Sequence, residues 1–271
     1  MKHVKIFLLA ASLALSAYTA SAQEVFRNKD LTITKLKTNL WEVETSDNAS
    51  MYILEGEKKA ILIDTGTKCD SLDKIVKRIT NKPLYVVITH AHGDHAGNIH
   101  FFPAIYMHPA DSVLMRRSDY EGKIHYIDEG YVFDLGGTKV EVAFTPGHTP
   151  GSIVFFDKKG KNCFSGDAFG SSFVWLQLQP STPMDIYAKS CEKMEKIMNA
   201  GIDSIYGGHY SQANYKALGK SYIVSMHQLA KALVNGTEPE PKPYPIKRGA
   251  QNPMITTLGE ASIVFDPEHI K

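Results

Sequence analysis

The run HAHGDH at residues 90–95 constrains this chain more than any other part of its sequence. It follows directly on residues 84–89 (LYVVIT), a nearly continuous apolar segment that is typical of a strand buried on both faces. Imidazole and carboxylate groups are good ligands for zinc and similar divalent metals. Adjacent side chains point apart, so one ion does not easily bind all four groups. Two neighbouring metals resolve this, with His90 and His92 facing one metal and Asp94 and His95 facing the other.

A pair of metals needs further ligands, and three later turns offer them. His148, Asp167 and His209 each follow a strand-like run and lie beside a glycine, which lets the backbone approach a compact site. A single histidine or aspartate at a turn is usually an ordinary solvated residue. The seven residues taken together instead predict a metal centre.

The hydrophobic pattern predicts an α/β protein in which one sheet packs on another with helices outside. Residues 51–54 and 60–63 flank a turn and predict a hairpin. Helices are predicted over residues 70–80, 109–116, 184–199 and 212–234. Further strands are predicted over residues 84–89, 103–107, 131–134, 139–144, 153–156, 162–165 and 261–265.

The N-terminus has the pattern of a secretory signal peptide. Lys2 and Lys5 precede a ten-residue apolar run at 6–15, which is too short to span a bilayer, and the run Ala20-Ser21-Ala22 offers a cleavage site. Residues 1–22 are therefore predicted to be removed, leaving a periplasmic or secreted protein without a membrane anchor; a buried N-terminal helix is the alternative. Residues 23–271 are predicted to form a single domain, with a motif core at about 25–235 and a proline-rich extension at 236–271.

The charge composition limits the kinds of molecule that the chain is expected to bind. Lys and Arg total 30 against 29 Asp and Glu, with no basic stripe, which argues against a nucleic-acid partner and leaves a small-molecule substrate. The oligomeric state stays open. Cys69, Cys163 and Cys191 fit neither a zinc ribbon nor a redox CxxC motif. Cys163 is expected to be buried in a strand, and a single disulfide among the three stays open.

Five motifs make a family recognisable. In chain order they are IDTG (63–66), THAHGDHAG (89–97), TPGHTPGS (145–152), SGDAF (165–169) and GGHY (207–210). They resemble the motifs of the metallo-β-lactamase fold superfamily over about residues 25–235. The resemblance implies a four-layer αβ/βα sandwich, with two mixed β-sheets packed face to face, helices outside, and metals at one edge of the sheets.

The resemblance also implies a distribution of ligands between two divalent metal ions, zinc first and iron or manganese as alternatives. The first ion would be held by His90, His92 and His148. The second would be held by Asp94, His95 and His209, with Asp167 bridging the two. Asp64 matches a position behind the ligands and is expected to hold the histidine loop by hydrogen bonds; a plain turn residue at the end of a strand is the alternative.

Positions at which this chain departs from the family pattern indicate which subclass of the superfamily it resembles. The β-lactamases that carry a cysteine have it at the position of Asp167, with a lysine three residues later where this chain has Gly170. A bridging aspartate resembles glyoxalase II, the lactonases and several phosphodiesterases instead. Glyoxalase II also holds glutathione with a basic C-terminal region, for which Lys242, Lys247 and Arg248 show no clear counterpart. Persulfide dioxygenases, which use one iron, share the histidine motif and remain an alternative.

The predicted function is that of an exported di-metal hydrolase. Water shared by two divalent cations loses a proton near neutral pH. The resulting metal-bridging hydroxide would attack an ester, lactone, thioester or amide. Asp94 is expected to orient this hydroxide, and Tyr210 is a candidate donor to the developing oxyanion, with simple packing as its alternative. The competing interpretations are a β-lactamase, a phosphodiesterase and a metal-binding protein without turnover.

Residues 168–182 are predicted to form the pocket wall. The segment has no charged residue and contains Phe169, Phe173 and Trp175. An uncharged aromatic wall suits an apolar or acyl substrate better than a nucleotide, whose phosphates favour Arg or Lys. The alternative for these aromatic residues is a place in the core.

Overall fold

The computed structural model describes residues 22–115, 120–171, 173–180 and 182–270. Except for Ala22, the predicted signal peptide lies outside the described residues. The strands are β1 (Gln23–Arg27), β2 (Leu31–Lys37), β3 (Leu40–Thr45), β4 (Ser50–Glu55), β5 (Ala60–Ile63), β6 (Leu84–Val87), β7 (Ala104–Met107), β8 (Lys123–Tyr126), β9 (Val132–Asp134), β10 (Lys139–Phe144), β11 (Ile153–Asp157), β12 (Asn162–Gly166), β13 (Val174–Trp175), β14 (Ser204–Gly207), β15 (Lys242–Pro243), β16 (Met254–Leu258) and β17 (Ala261–Phe265). The α-helices are α1 (Leu72–Val76), α2 (Met184–Asn199) and α3 (Lys220–Asn235).

Two mixed sheets form the centre of the molecule. The first has the order β1-β2-β3-β4-β5-β6-β7-β8, antiparallel up to β5 and parallel from β5 to β8. The second has the order β14-β12-β11-β10-β9, in which only β12 and β14 run parallel. Apolar side chains from both sheets, such as Leu54 and Phe155, share one buried cluster, so the sheets pack face to face.

Helices cover the two outer faces. Leu72, Ile75 and Val76 of α1 pack against the outer face of the first sheet. The buried residues of α2 recur every three or four positions, as in Tyr187 and Cys191, and they pack with α3 against the second sheet. The predicted four-layer αβ/βα sandwich is therefore confirmed.

A third sheet was not predicted from the sequence. It has the order β13-β17-β16-β15, with β13 and β17 parallel. Its last three strands come from the proline-rich extension, of which only the strand at 261–265 was foreseen. The extension therefore completes a sheet whose first strand lies within the predicted pocket wall.

Three helix predictions were wrong in extent. In the segment predicted at 70–80, α1 covers only Leu72–Val76. Only Tyr210–Ala213 forms a 3-10 helix in the first part of the segment predicted at 212–234, and α3 begins at Lys220. Asn214 and Tyr215 both have a φ of 54°, a left-handed conformation that ends the first helix. In the segment predicted at 109–116, Pro109–Val113 forms a 3-10 helix and Arg116 lies outside the described residues.

All three cysteines are buried and free, and Cys163 lies in β12 as predicted. Within the described residues, no helix combines the length and apolarity needed to cross a bilayer.

Candidate metal centre

The candidate ligands meet because each follows the carboxyl end of a strand. The 90–95 loop follows β6, and the loops carrying His148, Asp167 and His209 follow β10, β12 and β14. Asp64 follows β5, which is the parallel neighbour of β6. The structure therefore brings the seven predicted ligands to one edge of the two sheets.

The first ligand group is formed by His90, His92 and His148. One ring nitrogen of each lies within 4.8 Å of the others. The closest pair is Nδ1 of His92 and Nε2 of His148, 3.0 Å apart. Three imidazoles converging in this way leave further coordination positions to a shared ligand or to substrate, as in catalytic zinc sites.

The second group combines two carboxylates with two imidazoles. Ligand atoms of Asp94, His95, Asp167 and His209 all lie within 4.8 Å of one another. Asp167 lies between the groups: its Oδ1 is 3.4 Å from Nε2 of His95, and its Oδ2 is 3.6 Å from Nε2 of His148. This position fits the bridging role that the resemblance implied.

Hydrogen bonds fix which ring nitrogen faces the centre in three of the five histidines. Nδ1 of His148 is 2.8 Å from the Trp175 carbonyl oxygen, and Nδ1 of His209 is 2.9 Å from the Asn48 carbonyl oxygen. Nδ1 of His95 lies 2.8 Å from Oδ2 of Asp64. In these three residues a proton on Nδ1 is held by an oxygen, which leaves Nε2 free to bind a metal.

Three buried ligand atoms are left without a hydrogen-bond partner among the described residues. They are Nε2 of His90, Nε2 of His95 and Oδ1 of Asp167. An unpaired buried polar atom is costly, and native structures rarely keep one without a reason. Divalent cations would satisfy all three atoms at once, and imidazole and carboxylate donors suit zinc, iron or manganese. The residues present therefore fit the two-metal centre.

The two groups differ in electrostatics. Burial holds the pKa of His90 well below its usual value and lowers that of His148 to about 4. Burial also opposes protonation of His209, but the charge of Asp167 outweighs it and raises the pKa of His209 to about 10. For Asp94, burial acts to raise the pKa, yet the interaction with His209 prevails and lowers it to about 2.

Asp64 lies where it can hold the histidine loop, as the sequence predicted. Its Oδ1 accepts a hydrogen bond from the Thr89 amide at 2.7 Å, and its Oδ2 accepts one from the Thr89 hydroxyl at 2.8 Å. The same Oδ2 contacts His95. One buried carboxylate thus connects the end of β6 with a ligand of the second group.

Asp111 plays a corresponding part that sequence reasoning missed. This buried carboxylate accepts hydrogen bonds from the amides of Ala91 at 2.8 Å and Gly151 at 2.6 Å, and from the hydroxyl of Thr149 at 3.0 Å. It therefore ties the loop of His90 and His92 to the loop of His148. In the sequence it lies in a short polar segment after a proline and carries no motif.

Gly208 shows how closely the loops approach. A Cβ at this position would overlap Cε1 of His95, so only glycine lets the turn before His209 lie against the histidine loop.

The ligand groups open into a cavity of about 670 Å³. Phe173 and Trp175 line it, as predicted, with their rings stacked 6.0 Å apart. Phe169 does not line the cavity: it is fully buried, stacks on Tyr187 and belongs to the core beneath α2. That part of the pocket prediction was wrong, because the side chain of Phe169 serves the core between the second sheet and the helices.

The structure does not bring Tyr210, the candidate oxyanion donor, to the cavity; its position matches the packing alternative. The residue does not line the cavity, and only 6 % of its surface is exposed. Its ring packs among Tyr52 and Tyr206 in the core between the two sheets. Proximity in sequence to His209 does not bring it to the site, because the backbone turns at His209 and directs the next side chain inward.

Residues 168–182 carry no charge, but the cavity wall as a whole does. Arg248, from the C-terminal extension, lines the cavity and lies over the ring of Trp175, with its Cζ 5.7 Å from the ring centroid. No pattern in the sequence links these two residues, which come together because the C-terminal extension folds back against the wall.

Comparisons with known proteins agree with this geometry. A sequence profile described as the metallo-beta-lactamase superfamily matches residues 45–209, more than half of the chain. The chain is 25 % identical over 230 residues to acyl-coenzyme A thioesterase MBLAC2 of Gallus gallus, covering 70 % of this chain and 81 % of that protein. It is 32 % identical over 141 residues to hydroxyacylglutathione hydrolase of Francisella philomiragia, covering 51 % and 54 %.

Among solved structures, a metallo-beta-lactamase from Pontibacter korlensis superposes with a TM-score of 0.60. The match covers 74 % of this chain and 99 % of that one, at 18 % sequence identity. At this identity the likeness concerns the fold alone.

Proposed function

The chain is a hydrolase of the metallo-β-lactamase superfamily, and from this premise we propose that it uses two divalent metal ions, zinc first, to cleave an acyl bond of a small molecule. The bond is an ester, lactone, thioester or amide, and we favour the thioester. The observation that carries the proposal is the convergence of seven donors in two adjacent groups beside one cavity.

The bound metals would supply an activated water near neutral pH and polarisation of the substrate carbonyl. The protein's own residues divide the remaining tasks. Asp94, partly exposed at the cavity surface, is placed to accept and orient a water proton. The stacked rings of Phe173 and Trp175 offer an apolar surface to the acyl or leaving group. His148 is held by its Nδ1 contact to the Trp175 carbonyl oxygen, which ties the wall to the ligand set.

The preference for a thioester comes from the relatives. The matched proteins include an acyl-coenzyme A thioesterase and a hydroxyacylglutathione hydrolase. Asp167, where the cysteine-bearing β-lactamases have their cysteine, and the absence of a lysine three residues later argue against a β-lactam substrate.

A side-by-side assay tests the proposal. The zinc-loaded protein is given an acyl thioester, an aryl ester, a lactone, nitrocefin and bis-p-nitrophenyl phosphate at equal concentrations. We expect the thioester to be cleaved with a kcat/KM about 100-fold or more above that for nitrocefin or the phosphodiester. Cleavage of none of the five would contradict the hydrolase, and cleavage of nitrocefin alone would favour the β-lactamase.

We further propose that the chain is exported, with residues 1–22 as the signal peptide. Support comes from the basic start, the short apolar run and the cleavage pattern at Ala20-Ser21-Ala22. Expression in a bacterial host followed by mass measurement of the periplasmic protein should give a chain that begins at Gln23. A full-length chain retained in the cytoplasm would refute this.

A further inference from the structure

The C-terminal extension builds one wall of the candidate site. β13, which carries Trp175, pairs in parallel with β17, so that Trp175 lies opposite Val264. β16 and β15 continue the same sheet. Residues beyond the superfamily match at 45–209 therefore shape the cavity.

The path of the extension beside the cavity is fixed on both sides of Arg248. The side-chain amide of Gln177 donates a hydrogen bond to the Ile246 carbonyl oxygen at 3.3 Å. Gly249 has a φ of +84°, and a Cβ there would overlap the carbonyl oxygen of Gln177. Ala250, which follows, is buried. The chain is thus held close to the wall at the position where Arg248 enters the cavity.

Arg248 offers a positive charge without an internal counter-ion. Its guanidinium lies over the face of Trp175, and within the described part of the chain no carboxylate lies within the 4.0 Å of an ion pair. Apart from histidines, it is the one cation among the described residues that line the cavity. A guanidinium presented in this way matches the planar, bidentate geometry of a carboxylate or phosphate.

We propose that Arg248 binds an anionic group, a carboxylate or a phosphate, of the substrate that is cleaved at the metal centre. The inference rests on the proposed function and narrows its substrate class to acyl compounds with such a group. Trp175 holds the guanidinium by its ring face, and the fixed backbone from Ile246 to Gly249 sets where the anion is received.

Two matched substrate pairs test this and separate the two anions. S-acetyl-3-mercaptopropionate is compared with its methyl ester, and S-acetyl-phosphopantetheine is compared with S-acetyl-pantetheine. We expect Arg248→Ala to lower kcat/KM for the preferred charged member about 10- to 100-fold, mainly through KM, and to change the neutral members less than about twofold. Arg248→Lys should restore part of the preference. Lys247→Ala, at a neighbouring position that is exposed like Arg248 but does not line the cavity, should behave as wild type.

Binding of unreactive thioethers gives a readout that does not depend on turnover. Calorimetric titration with 3-(methylthio)propionate, S-methyl-phosphopantetheine and their neutral counterparts should show a charge preference in wild type that Arg248→Ala loses. An equal fall for charged and neutral compounds would mean that Arg248 only supports the wall. Absence of any preference in wild type would equally overturn the proposal. If wild type binds with this preference but cleaves no thioester, the proposed function fails while the role of Arg248 stands.

Discussion

The two ligand groups lie side by side yet differ in how their charge is arranged. His90, His92 and His148 have lowered pKa values because burial disfavours the imidazolium. In the other group, burial also disfavours the imidazolium of His209, but the nearby carboxylate of Asp167 raises its pKa. The first group is therefore neutral and ready to bind a metal at neutral pH. In the metal-free protein, the second group holds protons that a metal must displace.

One centre can therefore combine a group of neutral imidazoles with a group whose histidine is protonated at neutral pH. Asp167 joins them, since its two oxygens face ligands of both groups.

Replacement of Asp167 should have the largest effect, because both groups lose a donor. We expect Asp167→Asn to lower kcat/KM about 1,000-fold or more and to reduce the metal content below two per chain. Metal content is measured by mass spectrometry of the dialysed protein, and activity with the preferred thioester. Asp185→Asn makes the same chemical change in the exposed ion pair with Lys189 and should leave both unchanged. Two metals and activity within tenfold of wild type in Asp167→Asn would refute the bridging role.

Replacement of His92 separates the groups. His92→Ala removes one donor from the first group alone, so we expect the loss of about one metal and an activity fall of about 100- to 1,000-fold, with the fold largely intact by circular dichroism. His100→Ala, at an exposed histidine outside the motifs, is the matched control. Retention of two metals per chain in His92→Ala would contradict the assignment of this residue.

Replacement of Asp111 tests the support behind the first group. The amides of Ala91 and Gly151 donate to different oxygens of Asp111. Asparagine keeps only one of these oxygens, so Asp111→Asn should lose one of the two hydrogen bonds. We expect metal affinity to fall about 10- to 100-fold and the free energy of unfolding to fall by about 1–3 kcal/mol. Competition with a chelator and chemical denaturation measure these quantities. Asp203→Asn, in a surface pair with Lys161, is the control; an unchanged metal affinity in Asp111→Asn would rule out the tie between the loops.

The smallest expected effect is on the stability of the metal-free protein against pH. His148 titrates near 4 when folded and near 6.5 when unfolded, so the unfolded state binds more protons between these values and stability falls as the pH drops from 6.5 to 4. His209 titrates near 10 when folded, so its stabilising contribution is full below pH 6.5 and is lost as the pH rises through 10.

Thermal unfolding of chelator-treated protein at a series of pH values measures the loss of stability at acid pH and at alkaline pH. His148→Gln should reduce the fall in Tm at acid pH, and His209→Gln should reduce the fall in Tm at alkaline pH, each by about 5 °C or less. If both variants changed the stability in the same pH range, the opposite pKa shifts of the two groups would be wrong.

Much of the site was predictable because its signals are local. The 90–95 loop, the turns around His148 and His209 and the strands before them are each encoded in a few neighbouring residues. Asp64 was predictable for the same reason, because it belongs to the IDTG motif (63–66) at the end of a strand. These features gave both the ligand set and the layered fold.

What could not be predicted depends on contacts between distant segments. Asp111 gains its role only when two loops meet at its carboxylate. Arg248 reaches the cavity because the C-terminal extension lies against the wall, where Gln177 bonds to Ile246 and Trp175 contacts the guanidinium. Phe169 and Tyr210 were assigned to the site from adjacency in sequence, whereas the direction of each side chain depends on the core that it fills.

The pairing of β13 with β17 has a consequence for biosynthesis. In a chain made from its N-terminus, every candidate metal ligand has been synthesised by residue 209, whereas β17, the partner of β13, follows later at 261–265. The ligand loops can therefore assemble before the wall beside them is closed. A nascent or prematurely terminated chain that ends after α3 would present an open cleft with an unpaired strand carrying Trp175, an edge that invites capture by chaperones or by other strands.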